Sequence, residues 1–200
     1  MQSNEQKEDL YLTRKTLLMR AVNQKDQDAW EEFVAYYKPF IGIILKYLNV
    51  KQNNIEDLSQ NVILNLWKKL DSFDPSRCKF RTWLSTVIRN AVMTFSIKDN
   101  KDRNRDHKYY EETSRFSQDN LEAVFDREWK TYLTNVALEN IKKNFSGKAI
   151  EVFLLSLDNK SIDEIAEELD LKANSVYRLR KRVQEQLMLE IKRLRMELEN

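Results

Sequence analysis

The chain has 200 residues, 42% of them hydrophobic and 33% charged, with a formal net charge of +2. That length allows one medium domain or two small ones, and near-neutrality excludes a partner recognised through global charge, so any basic surface is local. Two glycines and two prolines are too few for a fold rich in tight turns and strand edges, which predicts helices joined by short connections.

Residues 1–10 are polar and acidic, without the basic and apolar regions of a signal peptide. Leu17, Leu18, Ala21 and Val22 predict a first helix. Asp28 is placed to cap the next, which carries Trp30, Phe33, Val34 and Tyr37. Pro39 is expected to interrupt it, with helix resuming over 40–48. The run 40–45 is the longest apolar one and far too short to span a bilayer. The expectation is a soluble, cytoplasmic protein.

Asn53 or Asn54 then precedes Ile55-Glu56-Asp57, an N-cap followed by acids in the first turn. Ile55, Leu58, Val62, Leu66 and Leu70 make one apolar stripe at spacings of three and four. Asp74-Pro75 is a turn signal. Cys78, the one cysteine, excludes an internal disulfide and a Cys-based zinc site, and reads as an ordinary reduced thiol. Phe80, Trp83, Leu84, Val87, Ile88 and Ala91 resume the helical period.

From 99 to 120 the pattern fades. The stretch 101–108 has no apolar residue and includes His107, the one histidine, which in so polar a run offers no metal or catalytic role. It reads as a linker or a solvated helix end. Periodicity returns with Leu121, Val124, Phe125, Trp129, Tyr132, Leu133, Val136, Ile141 and Phe145, until Ser146-Gly147 breaks it. A helix follows over 149–157. The expected organisation is all-α: two small helical domains at 10–98 and 121–195, joined by a polar linker at 99–120.

The segment 161–183 carries the sharpest local signal. Ser161 is a good N-cap, and Glu164 three residues on completes a capping box. Ile162, Ile165, Ala166 and Leu169 form an inner face, and small Ala166 lets a second helix cross closely. Asp170-Leu171-Lys172 is the turn, with Leu171 as an apolar plug. Asp170 stands where glycine is commonest, and Asp tolerates positive φ better than most residues. Ala173 or Asn174 begins the second helix, whose inner face is Val176, Leu179, Val183 and Leu187. This spacing is that of a helix-turn-helix. On the outer face lie Asn174, Tyr177, Arg178, Lys181 and Glu185, flanked by Ser175 and Arg182. From Lys172 to Arg182 there are basic residues and no acidic one. Arg and Asn can hydrogen-bond base edges in a major groove, and Lys and Arg can neutralise phosphates. The plainer alternative is a solvated basic face on a structural helix pair.

The first domain narrows the reading. The stretches Ile55-Glu56-Asp57-Leu58-Ser59-Gln60-Asn61-Val62-Ile63-Leu64-Asn65-Leu66-Trp67, Leu70-Asp71-Ser72-Phe73-Asp74 and Phe80-Arg81-Thr82-Trp83-Leu84-Ser85-Thr86-Val87-Ile88-Arg89-Asn90 resemble region 2 of bacterial RNA polymerase sigma factors. Asp28-Ala29-Trp30 with Phe33 and Tyr37 resembles the opening of that region. Ser161-Ile162-Asp163-Glu164-Ile165-Ala166 and Asn174-Ser175-Val176-Tyr177 resemble region 4. The ordered set is similar to the extracytoplasmic-function (ECF) subgroup of the sigma-70 family, which keeps only these two regions.

The resemblance implies a dissociable promoter-specificity subunit, with no catalytic residues, cofactor or metal. Its partners would be core RNA polymerase, through the clamp helices of the largest subunit and the flap of the second-largest, and promoter DNA, with an anti-sigma factor as a regulatory partner. It implies core binding through Asp57, Gln60 and Asn61, although Asn61 stands where the family has Glu, one charge fewer. It implies minus-ten recognition and melting through Phe80, Arg89, Asn90, Thr94 and Lys98, with Arg103 also suited to phosphates. Asn90 matches the family position lining the pocket for a flipped base, an extrusion that costs a few kcal/mol. Phe80 and Trp83 are candidates for stacking on bases, or for core. Thr94 replaces the family's Asp, so a minus-ten base preference does not carry over. Asn174, Ser175, Tyr177, Arg178, Lys181 and Arg182 would read the minus-thirty-five element.

Two other function classes compete. A stand-alone helix-turn-helix regulator would normally carry a ligand-sensing or dimerising domain, and no such signal is present. A nuclease or other enzyme needs clustered acids around a metal or a nucleophile set, and the acids here are spread along helix faces.

Overall fold

A computed structural model describes residues 16–22, 26–103 and 118–199, without side chains for 98–103 and 118–120. The N-terminal residues 1–10 and His107 lie outside the described residues. The fold is all-α, and the described residues contain no strand. The helices are α1 (Leu17–Val22), α2 (Gln27–Tyr47), α3 (Gln52–Lys69) with a 3-10 turn at Leu70–Ser72, α4 (Phe80–Arg103), α5 (Gln118–Lys142), α6 (Ala149–Leu157), α7 (Ile162–Glu168) and α8 (Ala173–Leu198).

Helix starts differ from expectation in two places. Asp26, not Asp28, caps α2: its Oδ1 accepts the Ala29 backbone N–H at 2.9 Å, while Asp28 sits inside the first turn. Helix α3 begins at Gln52 behind Lys51, with no side-chain cap, so Asn53 and Asn54 are already helical. Asn49 at φ 58° reverses the chain, and the Val50 N–H returns to the Leu45 carbonyl. Buried Val50 anchors that turn and fixes where α3 must start.

Pro39 does not interrupt α2. An interior proline costs about 3 kcal/mol through its lost N–H and its clash with the preceding turn. Around it Phe33, Tyr37, Phe40, Ile41, Ile44 and Leu45 are all fully buried. Each buried side chain of this size contributes roughly 1.5–3 kcal/mol, so packing outweighs the proline and keeps one helix.

The chain divides into two compact units, Met1–Lys130 with Met196–Asn200, and Thr131–Arg195. Residues 121–130, read from the sequence as the start of a second domain, fall in the first unit. The polar segment at 99–120 runs from the end of α4 through residues 104–117, which lie outside the described residues.

In the first unit α1 and α3 pack on α2, and α4 packs on both α2 and α3. The stripe Ile55, Leu58, Val62, Leu66 and Leu70 is buried as its spacing requires. Aromatic rings hold the centre. Phe33 stacks on Tyr37 at 4.4 Å between centroids, and Tyr37 stacks on Trp129 at 5.3 Å. Phe80 meets Phe33 and Tyr37 edge-on at 5.8 and 5.3 Å. Phe40 meets Phe125 and Trp129 edge-on. Such pairs add about 0.5–1.5 kcal/mol each beyond area burial. The contacts of Phe125 and Trp129 with α2 are why the first turns of α5 belong to this unit.

In the second unit α6 and α7 pack together around Val152, Ile165, Leu169 and Val176. Helix α5 ends at Lys142, short of Phe145, and Gly147 follows at φ 66°. That left-handed conformation suits glycine and marks the break between α5 and α6.

Candidate nucleic-acid interface and docking faces

The residues from Ser161 to Val183 form two helices joined by a tight turn. Ser161 Oγ accepts the Glu164 N–H at 3.2 Å, and the Glu164 carboxylate accepts the Ser161 N–H at 2.7 Å, so the capping box is complete. The backbone hydrogen bond from Ser161, with its side-chain hydrogen bond second, holds the Glu164 carboxyl below its ordinary pKa. Asp170 adopts φ 48°, as its place in the turn demands. The Leu171 N–H bonds the Ala166 carbonyl at 2.9 Å, and Leu171 packs on the cluster as the expected plug. The Lys148 ammonium donates to the Leu169 carbonyl, satisfying an acceptor at the C-terminal end of α7.

Helix α8 opens at Ala173. Val176, Val183 and Leu187 are buried, and Leu179 is packed against the same cluster. That burial turns Asn174, Tyr177, Arg178, Lys181 and Arg182 outward, all exposed, with Ser175 half-buried at their edge. Arg182 lies over the Phe145 ring at 5.3 Å, a cation–π contact that holds its guanidinium on the protein. Lys181 lies 3.9 Å from Glu185, both well exposed, a surface ion pair that holds the lysine only weakly.

Helix α3 presents a second face. Asp57, Gln60 and Asn61 are exposed, opposite the buried Leu58 and Val62. Glu56 accepts from Lys38 at 2.6 Å and from Gln60 at 3.1 Å, and the Lys38 hydrogen bond is the larger cause holding its carboxyl below the ordinary value. One turn on, Leu64 continues this face at 55% exposure. It was not singled out from the sequence, although it falls off the Leu58–Val62–Leu66 stripe, which was the available signal.

Helix α4 presents a third face. Leu84, Ile88 and Val92 are buried, which directs Asn90 and Thr94 to the surface, and the Thr94 hydroxyl donates to the Asn90 carbonyl at 2.9 Å. Met93 and Ile97 are exposed beside them, two further apolar residues missed at the sequence level. Arg89 is half-buried. Phe80 is 1% exposed, inside the aromatic cluster, so its ring is core and is not offered to a base. Trp83 is half-buried against Phe73 and Phe80. The side chains of Lys98 and Arg103 lie outside the described residues.

Residues 33–101, from within α2 to near the end of α4, match the family described as Sigma-70 region 2. The chain is 33% identical over 84 residues to the ECF RNA polymerase sigma factor RpoE of Cereibacter sphaeroides, covering 41% of this chain and 46% of that protein. It is 26% identical over 162 residues to the ECF RNA polymerase sigma factor SigW of Bacillus subtilis, covering 79% of this chain and 86% of that protein. The matched segment, residues 33–101, is about a third of the chain, and it is this segment that relates the chain to sigma-70 proteins. The first of these alignments spans less than half the length of the relative, and the second most of it. The region 2 match encloses the α3 face and the α4 face together, and most of the aromatic core behind them, whose Phe125 and Trp129 lie outside it. The capped helix pair of α7 and α8 lies C-terminal to it.

Proposed function

We propose that this chain is an RNA polymerase sigma factor that binds core polymerase and directs it to promoters, without catalytic chemistry of its own and acting in the cytoplasm. The observation that carries the reading is the region 2 match at 33–101, laid over helices whose unburied faces hold polar residues at positions the family uses, with Asn61 and Thr94 departing from its pattern. Asp57, Gln60 and Asn61 dock on the clamp helices of the largest subunit, with Leu64 adding apolar area. Arg89, Asn90, Thr94 and Lys98 bind the opened minus-ten strand. Asn174, Ser175, Tyr177, Arg178, Lys181 and Arg182 engage the minus-thirty-five duplex, while the flap of the second-largest subunit and an anti-sigma factor complete the set of partners.

The physical reasoning is differential grip. Each basic residue at a phosphate releases condensed counterions, and a handful of such contacts gives only moderate affinity at physiological salt. Two DNA sites held by one polymerase act on each other at high effective concentration, so neither needs to be tight alone. This fits a chain with net charge +2. No helix among the described residues is long and apolar enough to cross a membrane. A stand-alone regulator is not favoured, because it gives the region 2 match no task.

The test is reconstitution. The purified chain is mixed with bacterial core polymerase, and run-off transcripts are read from genomic fragments selected by the holoenzyme. Defined start sites that depend on the chain are expected. Failure to form a complex with core would overturn the reading.

A further inference from the structure

The last residues of the chain occupy a built site in the first unit. Tyr37 Oη donates to the Leu198 carbonyl at 2.6 Å. The Glu199 carboxylate oxygen Oε1 accepts from Trp129 Nε1 at 2.9 Å and from Arg81 Nη1 at 3.0 Å. Leu198 itself is fully buried, as are Tyr37 and Trp129. Three donors from α2, α4 and α5 thus converge on one short segment, and Met196–Asn200 counts as part of this unit.

The chemistry of the site selects its occupant. A guanidinium and an indole N–H aimed at one oxygen favour a carboxylate over a neutral acceptor. A phenol aimed at a main-chain carbonyl suits the end of a helix, where carbonyls lack intrahelical partners. The buried position of Leu198 suits an aliphatic side chain immediately before the acid. Charge-assisted hydrogen bonds of this kind are the strong ones, and these are shielded from solvent: the side chains of Arg81 and Glu199 are only 15% and 14% exposed. Two features would ease its emptying. Arg81 has a second carboxylate in reach, Asp126 at 3.4 Å and 57% exposed. Arg81 also lines an open cleft of about 310 Å³ with Cys78, Lys79, Thr82, Glu122, Phe125 and Asp126. The arginine therefore keeps a partner, and water has a way in, when the segment leaves.

We propose that Tyr37, Arg81 and Trp129 form a socket for an acidic helix C-terminus ending in Leu-Glu, filled in this chain by its own residues 196–199 as a releasable latch. The socket does not depend on the role proposed in transcription, because its test uses neither polymerase nor DNA. A second polypeptide presenting the same helix end competes for it.

The experiment measures binding of a fluorescent peptide of residues 190–200 to the full-length protein and to a chain ending at Arg195, by anisotropy. The shortened chain is expected to bind the peptide at least about tenfold more tightly than the full-length protein, the equivalent of one charge-assisted hydrogen bond freed. Should the shortened chain fail to fold by circular dichroism, full-length Glu199→Gln takes its place. It keeps the side-chain shape, weakens the latch in cis, and is expected to admit the peptide several-fold better than wild type. Adding Tyr37→Phe to either chain is expected to remove most of that gain. The single thiol gives a second readout, since Cys78 lines the cleft beside Arg81 and its labelling rate should rise when the latch is weakened and fall when peptide is added. Equal peptide affinity for wild type and Glu199→Gln, or binding indifferent to Tyr37→Phe, would overturn the socket.

Discussion

Ser161 and Glu164 cap each other: the serine hydroxyl accepts the glutamate N–H at 3.2 Å, and the glutamate carboxylate accepts the serine N–H at 2.7 Å. Helix α7 has only seven residues, too few to hold itself in water. It persists because this cap satisfies two of its orphan donors and Ile165 is fully buried. Ser161→Ala is expected to cost about 1 kcal/mol, read as a lower midpoint in urea unfolding. An unchanged midpoint would mean that the core alone holds α7.

The same cap sets a pH dependence. Backbone hydrogen bonds hold the Glu164 and Asp26 carboxyls below their ordinary values, from Ser161 and Ala29 respectively as the largest cause. A depressed folded-state pKa gives stability that is complete above the unfolded value and is lost as pH falls through the folded value. The double variant Glu164→Gln with Asp26→Asn should melt below wild type at neutral pH. The gap should narrow as pH falls through and below the ordinary carboxylate range. A gap that widened with acid would reverse the sign and refute the capping account.

On α8, Arg178, Lys181 and Arg182 are all exposed on the outward face, and Arg182 is engaged with Phe145. Arg178→Ala and Lys181→Ala should each weaken binding to minus-thirty-five duplex. Each should reduce the slope of log affinity against log salt by about one. Affinity for core polymerase should not change. Salt titrations with an unaltered slope would place the DNA on another face.

Phe80 and Asn90 share α4 but differ in burial, which separates packing from promoter opening. Phe80→Ala removes a ring from the middle of the aromatic cluster and should cost about 3–5 kcal/mol, measured by denaturant unfolding. Asn90→Ala, on the surface, should change stability by no more than about 0.5 kcal/mol. It should nevertheless reduce permanganate reactivity of minus-ten thymines in the holoenzyme complex. Loss of opening without loss of stability in Phe80→Ala would contradict its assignment to the core.

Leu64 is an apolar side chain on an otherwise polar face that includes Asp57, Gln60 and Asn61. Leu64→Asp should leave the melting temperature nearly unchanged and weaken core-polymerase binding several-fold in a competition assay, because a docking face loses apolar area and gains an unpaired charge. Asp57→Ala should act in the same direction. Full competition by both variants would show that this face is merely solvated.

The family resemblance pointed to Asp57, Gln60 and Asn61, and the α8 stripe set Tyr177, Arg178 and Lys181 outward; all six are exposed. Leu64, Met93 and Ile97 escaped because apolar residues are read first as core, and only burial distinguishes an inward leucine from an outward one. Phe80 escaped in the opposite direction. Its place in a family motif suggested a base contact, while four neighbouring rings, contributed by Phe33, Tyr37, Phe73 and Trp83, enclose it.

The sequence by itself determined the helical class, the buried stripes, the capping box at Ser161 and the left-handed turn at Asp170. Each depends on residues within one or two turns of one another, where periodicity and side-chain chemistry act directly. Tertiary structure decided the rest. It kept α2 whole through Pro39, drew Phe125 and Trp129 into the first unit, buried Phe80 and brought Leu198 to Tyr37 across a sequence separation of 161. Those outcomes depend on which surfaces meet, and no local pattern records the partner a side chain will find far along the chain.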